Sequence, residues 1–168
     1  MSKAFTSEET PDIGVIAREP PVLRPGEVRY VTPEGREGLR AALERLRAAL
    51  AEAAGLPDSE RAARIADLER RAALVAGTLA ALTVLGPDAA PEGSVAFATW
   101  VTVEDEAGRR STWRIVGPDE ADPGHGLVSV HSPVGRALLG RAAGEPIRVE
   151  RPDGCREYRV IEVRRTAS

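Results

Sequence analysis

The stretch Val128-Ser129-Val130-His131-Ser132-Pro133-Val134-Gly135-Arg136-Ala137-Leu138-Leu139-Gly140 decides the fold of the C-terminal half of the chain. It predicts a strand, a sharp turn, a short helix and a glycine stop. Ser132 is a natural N-cap, and Pro133 fits the first helical turn, where its missing N–H is no loss. Gly140 can adopt the left-handed conformation that ends a helix.

Short strands surround this element on both sides. Residues 95–103 are rich in β-branched and aromatic side chains, and residues 111–116 and 127–130 continue the pattern. Residues 147–150 and 156–163 predict a hairpin across Pro152-Asp153-Gly154, which is a strong turn signal. We therefore expect a twisted antiparallel sheet that covers one short helix.

The N-terminal half has a helical pattern instead. Thr32 and Pro33 predict the start of a helix, and residues 55–59 interrupt it, with Asp58 or Ser59 able to cap a second helix. Apolar residues recur at alternating steps of three and four, which is the spacing of a heptad seam. The seam residues are Leu39, Leu43, Leu46 and Leu50 in the first helix, and Ile65, Leu68, Ala72, Val75, Leu79 and Leu82 in the second. Two such helices joined by a short turn predict an antiparallel coiled-coil hairpin.

The domain organisation follows from these patterns. Residues 1–30 carry four prolines without periodicity, so an extended, partly disordered leader is expected there. The hairpin is assigned to residues 31–86, a linker to residues 87–93 and the sheet domain to residues 94–168. The predicted fold class is α+β.

Composition excludes several classes of function. The net charge is −3 and aromatic residues make up 4 %, which argues against a general nucleic-acid surface. Cys155 is the single cysteine, so an internal disulfide is impossible, and the cytoplasm is the expected compartment. No apolar run approaches the roughly 20 residues of a membrane span, so no membrane partner is expected. His125 and His131 have no matching ligand set for a metal.

Several motifs resemble the bacterial GreA/GreB family of transcript cleavage factors. Residues 132–140, Ser-Pro-Val-Gly-Arg-Ala-Leu-Leu-Gly, are similar to its C-terminal signature, which reads close to S-P-L-G-[RK]-A-L-[LI]-G. Residues 113–117 followed by residues 119–122 resemble its Y-x-I-V-G-x-x-E-A-D element. Residues 31–35 resemble its helix opening, and residues 1–6 are similar to the start of GreB-type proteins. The resemblance covers roughly residues 30–165.

The resemblance implies a fold and a partner. The family fold is a coiled-coil arm joined to an FKBP-like domain that docks at the rim of the RNA polymerase secondary channel. Ser132, Pro133, Gly135 and Arg136 would then contact polymerase, and Asp58 and Glu60 would be the catalytic tip acids. These acids would help hold a Mg²⁺ ion jointly with polymerase, because carboxylates are the ligands Mg²⁺ prefers and a second metal can activate water. The chain would have no cofactor of its own and would not itself be an enzyme. Backtracked RNA would be contacted indirectly, and DNA binding is implied by the resemblance alone.

The tip departs from the family pattern, which reads close to G-D-x-S-E-N-A-[ED]-Y. Here the comparable residues are 55–61, where the acids are closer together and Arg61 opposes a nearby cation. The first helix spans about 22 residues, or on the order of 33 Å, and a full arm of this family is longer by roughly one to two turns per helix.

Three hypotheses follow. The first is a GreB-like elongation factor that stimulates cleavage of backtracked RNA. The second is a non-catalytic, short-armed regulator of the Rnk type that competes with Gre factors. The third is an adaptor whose hairpin binds a partner helix or self-associates. A monomer is expected under the first two.

Overall fold

The computed structural model describes residues 28–167, and most of the predicted leader lies outside the described residues. The α+β class is confirmed. The helices are α1 (Pro33–Ala53), α2 (Asp58–Ala81) and α3 (Pro133–Leu138). The strands are β1 (Tyr30–Val31), β2 (Thr83–Val84), β3 (Trp100–Asp105), β4 (Arg110–Val116), β5 (Leu127–Ser129), β6 (Pro146–Arg151) and β7 (Gly154–Arg164).

Helices α1 and α2, termed the helical pair, pack through the predicted seams. Leu46 is fully buried, and Leu68 and Val75 are each 2 % exposed. Leu50, Ile65, Ala72, Leu79 and Leu82 lie against this core at partial burial. Apolar residues at steps of three and four fall on one side of each helix, so burying that side joins the two.

A two-stranded parallel pairing closes the base of the helical pair, and no pattern in the sequence indicates it. β1 pairs with β2, so that Tyr30 lies opposite Thr83 and Val31 opposite Val84. The Leu85 N–H donates to the Val31 carbonyl at 2.9 Å. The chain therefore enters and leaves the helical pair at the same place.

The C-terminal sheet has the order β5-β4-β3-β7-β6. The predicted β6–β7 hairpin is confirmed. The expectation of a purely antiparallel sheet was wrong, because β5 pairs with β4 in parallel, with Arg114 opposite Leu127. Residues 117–126 carry the chain back to the level of Arg114 before β5 begins, so β5 runs in the same direction as β4.

One strand begins later than the sequence predicted. β3 starts at Trp100 because residues 96–99 form a turn, in which the Thr99 hydroxyl donates to the Ala96 carbonyl at 2.8 Å. Ala98 within that turn has φ +66°, outside the extended region.

The sheet and α3 enclose the core of the C-terminal part. Val101, Val103, Ile115, Leu138 and Val160 are fully buried and form one cluster. Alternate residues of β3 supply this core, as expected of a sheet with one covered face. Among the described helices, none is both long and apolar enough to cross a lipid bilayer.

Candidate functional site

The first candidate element is α3, which begins at the predicted cap. The Ser132 hydroxyl accepts a hydrogen bond from the Gly135 N–H at 3.0 Å and donates to the Ser129 carbonyl at 2.7 Å. This one side chain therefore caps α3 and ties it to the end of β5. The cap prediction is confirmed.

Gly135 allows α3 to lie directly against β5. A Cβ atom at this position would lie 2.1 Å from the Ser129 carbonyl oxygen. Only glycine fits such a close approach of two backbone segments. The four predicted contact residues, Ser132, Pro133, Gly135 and Arg136, thus lie on one short helix whose position is tightly fixed.

Arg136 lies on the exposed side of α3. Within residues 28–167 its guanidinium has no hydrogen bond or ion pair, whereas most arginines there are paired. Leu139, just beyond the helix, is 39 % exposed. An unpaired guanidinium beside an exposed leucine is a combination suited to a protein partner.

An open groove of about 400 Å³ runs beside the start of α3. Its walls are largely apolar and come from α3, β4, β5 and the end of β6. The main lining residues are Trp113, Val128, Pro133, Val134, Val149 and Pro152. Trp113 lines the groove and also packs within the sheet part, because its ring meets that of Tyr158 edge-on at 5.4 Å.

Near one end of the groove, His125 Nδ1 lies 2.6 Å from Asp122 Oδ2. This hydrogen bond lowers the pKa of the Asp122 carboxyl below its usual range. The pair is local to its loop. Neither His125 nor His131 is part of a metal-ligand cluster within the described residues.

The second candidate element is the turn between α1 and α2, called the tip (residues 54–61). Asp58 begins α2, and the expectation that Asp58 or Ser59 caps this helix was wrong, because Pro57 occupies the cap position without a side-chain hydrogen bond. The Asp58 carboxylate is 93 % exposed and lies 3.0 Å from the Arg61 guanidinium. Arg61 also donates to the Leu56 carbonyl at 2.7 Å.

The tip places two acids, Asp58 and Glu60, next to the Arg61 cation. Asp58 is already neutralised by Arg61, and Glu60 is exposed beside it. Across residues 28–167, no group of three or more His, Cys, Asp or Glu residues could hold a metal ion. Mg²⁺ prefers oxygen ligands, and a neighbouring cation opposes its binding.

A third polar cluster, called the joint, connects the base of the helical pair to the sheet. Arg29, just before β1, forms an ion pair with Asp119, and the two side chains are only 6 % and 10 % exposed. Glu34 in the first turn of α1 accepts from the Arg114 guanidinium at 2.9 Å. Arg114 also lies over the Trp100 ring, at 5.5 Å from its centre. Arg114 therefore forms an ion pair with Glu34 and a cation–π contact with Trp100.

Glu120 lies at the centre of the joint. One carboxylate oxygen accepts from the Thr32 N–H at 2.8 Å and the Gly117 N–H at 3.1 Å, and the other accepts from the Thr32 hydroxyl at 2.6 Å. Asp119 and Glu120 lie in a segment that resembles a family motif. Nothing in their spacing links them to Arg29 and Thr32, about 90 positions earlier. The only signal was an acidic pair directly after Gly117-Pro118.

Comparison with known proteins identifies relatives over most of the chain. The model for the C-terminal domain of transcription elongation factor GreA/GreB matches residues 90–165. Transcription elongation factor GreB of Yersinia pestis is 36 % identical over 150 residues, which span 80 % of this chain and 88 % of that protein. GreA of Alkalilimnicola ehrlichii is 38 % identical over 151 residues, which span 80 % and 96 %. A solved GreA/GreB structure from Nitrosomonas europaea is 26 % identical and covers 82 % of this chain and 98 % of its own, with a TM-score of 0.40.

Proposed function

Because the chain belongs to the GreA/GreB family of transcription elongation factors, we propose that it binds bacterial RNA polymerase at the rim of the secondary channel. In this proposal the helical pair is the family's coiled-coil arm, and the sheet with α3 is its FKBP-like docking domain. The observation that carries the docking surface is Arg136, which is exposed on α3 next to an apolar groove and has no ion-pair partner among residues 28–167.

The tip supports occupancy of the channel more than stimulation of RNA cleavage. Cleavage would require Asp58 and Glu60 to bind Mg²⁺, and the Arg61 guanidinium, 3.0 Å from the Asp58 carboxylate, opposes a second cation there. α1 has 21 residues, or about 32 Å, so the arm is short. We therefore favour a regulator that occupies the channel and competes with cleavage-stimulating Gre factors, acting without chemistry of its own.

Binding to core polymerase tests the docking surface. A fluorophore on the exposed Cys155 reports binding by anisotropy. We expect Arg136→Glu to weaken binding by about tenfold or more, as for a central charged contact in an interface. Arg159→Glu is the matched control, since Arg159 is also exposed on this domain and has no ion pair in the described part of the chain. Equal losses in both variants, or no binding by the wild type, would refute the proposal.

RNA cleavage in a backtracked elongation complex separates the two forms of the function. The channel-occupying form predicts no cleavage by the wild type, and inhibition of cleavage by an authentic Gre factor. The cleavage-stimulating form predicts activity that disappears in the double variant Asp58→Ala, Glu60→Ala. The first result assigns the tip acids as surface residues of α2, and the second assigns them as Mg²⁺ ligands shared with polymerase.

A further inference from the structure

One carboxylate connects the start of the helical pair to the sheet. Glu120 belongs to the loop that follows β4, yet two of the three groups that donate to it come from Thr32, the N-cap of α1. The third is the Gly117 N–H of its own loop. The carboxylate is therefore a bridge between the backbone of the arm and the backbone of the sheet.

The contact continues into the first turn of α1. The Thr32 hydroxyl, while donating to Glu120, also accepts from the Gly35 N–H at 3.0 Å. A chain of hydrogen bonds thus connects Gly117, Glu120, Thr32 and Gly35. A negative charge at the start of a helix is also favoured by the helix dipole.

Gly35 leaves just enough room for this carboxylate. A Cβ atom at position 35 would lie 1.8 Å from Glu120 Oε2, so any larger residue must displace the carboxylate. Gly38, one turn further along α1, has no atom within 4 Å of the corresponding position. Helix α1 therefore has no room for a side chain beside Glu120 at position 35, whereas position 38 is open.

The other two contacts of the joint act differently. Arg29–Asp119 and Glu34–Arg114 are ion pairs between two side chains. They connect the helical pair to the sheet through side-chain bonds that can rotate. Glu120 instead accepts from the backbone N–H of the cap residue Thr32, so it acts directly at the point from which α1 departs. Since α1 is about 32 Å long, a 10° change at its base would move the tip by about 6 Å.

We propose that Glu120 is a positioning residue, which aims the tip by fixing the angle between the helical pair and the sheet. The aim itself is a property of the isolated protein. Only the naming of polymerase as the target rests on the proposed function.

Distances between two spin labels test, in the absence of polymerase, whether Glu120 fixes the angle between the helical pair and the sheet. One label is placed on Cys155, which is exposed in β7, and the other on Ser59→Cys at the tip. We expect a single narrow distance distribution for the parent and a distribution about twofold broader in Glu120→Ala. Glu120→Gln keeps an oxygen for both backbone N–H groups and should stay closer to the parent. An unchanged distribution in Glu120→Ala would overturn the inference.

A matched control separates aiming from general stability. The Glu145 carboxylate also accepts from a backbone N–H of the C-terminal part, that of Ala142, but lies outside the joint. Glu145→Ala should lower the melting temperature without broadening the distribution. If it broadens the distribution as much as Glu120→Ala does, Glu120 is only a stabilising residue.

A second pair of variants leaves the Glu120 side chain in place. Gly35→Ala favours the helix intrinsically but displaces the carboxylate, so it should broaden the distribution. Gly38→Ala favours the helix equally and should leave the distribution unchanged. The reverse order, or no difference between the two, would contradict the role of Glu120 even if Glu120→Ala failed to fold.

Polymerase provides the functional readout. Glu120→Ala leaves the α3 surface intact, so affinity for core polymerase should stay within about threefold of the parent. Its ability to block an authentic Gre factor, which depends on the arm, should fall by about tenfold or more. If Glu120→Ala broadens the distribution but blocks as well as the parent, polymerase is overturned as the target of the aim, while the positioning role of Glu120 stands. If the parent does not bind polymerase, the proposed function fails, while the label distances still decide whether Glu120 aims the arm.

Discussion

The two ends of the helical pair start from similar sequence signals and are built differently. At the base, α1 begins after Thr32 with a proline and an acid, and at the tip, α2 begins with Pro57 and Asp58. Thr32 is 1 % exposed and binds Glu120, whereas Asp58 is 93 % exposed and, in the described part of the chain, binds Arg61 alone. Local sequence sets where a helix can start. Burial against a distant loop decides how firmly that start is held.

The largest expected effect is the loss of the Arg29–Asp119 pair in the joint. Arg29→Ala leaves the Asp119 carboxylate buried and unpaired, which costs about 3–5 kcal/mol of unfolding free energy. Urea unfolding followed by circular dichroism measures it. Arg40→Ala, which breaks an exposed pair with Glu37, should cost below about 0.5 kcal/mol. Equal losses of unfolding free energy in the two variants would mean that this pair stabilises the fold no more than an exposed ion pair does.

A smaller effect is expected at the cap of α1. Thr32→Ala removes the acceptor of the Gly35 N–H and a donor to Glu120, so about 1–2 kcal/mol of unfolding free energy should be lost. Thr32→Ser keeps the hydroxyl and should recover most of this loss. Urea unfolding of the two variants distinguishes the hydroxyl from simple packing of the methyl group, which would leave Thr32→Ser as unstable as Thr32→Ala.

The joint should also be sensitive to acid. Burial acts to raise the pKa of Glu34, but its backbone hydrogen bond and the Arg114 guanidinium outweigh burial and hold this pKa below its usual 4.5. A lowered native pKa means that the Glu34–Arg114 pair stabilises the fold fully above pH 4.5, and that this contribution is lost as the pH falls through the native pKa.

Unfolding free energies at about pH 7 and about pH 3 measure this dependence. Glu34→Gln should show a smaller loss between the two pH values than the wild type. Glu44→Gln is the control, because Glu44 is about as exposed, at 68 % against 67 %, and its partner Arg47 lies on the same helix. A pH dependence unchanged by Glu34→Gln would exclude this pair as its source.

The smallest effect is expected at the tip. Asp58→Ala removes an exposed carboxylate that makes no cap, so no measurable change in unfolding free energy is expected from thermal or urea unfolding. A clear destabilisation would show that the tip is held as firmly as the base, and would remove the contrast between the two ends.

Much of this fold was predictable because local patterns decide it. The seams of the helical pair, the Ser132 cap of α3 and the turn around residues 152–154 each follow from a periodicity or a turn motif within a few residues. The parallel pairing of β5 with β4 was not predictable, because it depends on where residues 117–126 return the chain rather than on the composition of either strand.

The candidate site divides in the same way. The exposed position of Arg136 on α3 was predictable, since the residue lies within a motif whose helix is defined locally. The roles of Arg29, Asp119 and Glu120 were not, because their contacts span 88 to 90 residues along the chain. Pairing at such distances depends on the assembled fold. The motif containing Glu120 was visible, but its partner Thr32 was interpreted only as a helix cap.

The pairing of β1 with β2 has a consequence for how the arm can vary. The segment between Val31 and Thr83 projects from one closed base. The length of the helical pair can therefore change without altering the contacts in the rest of the molecule. Adding one heptad to each helix beside the tip would extend the arm by about 10 Å while preserving the seam and every contact at the base. The melting temperature of such an extended variant should therefore stay at or above that of the natural chain.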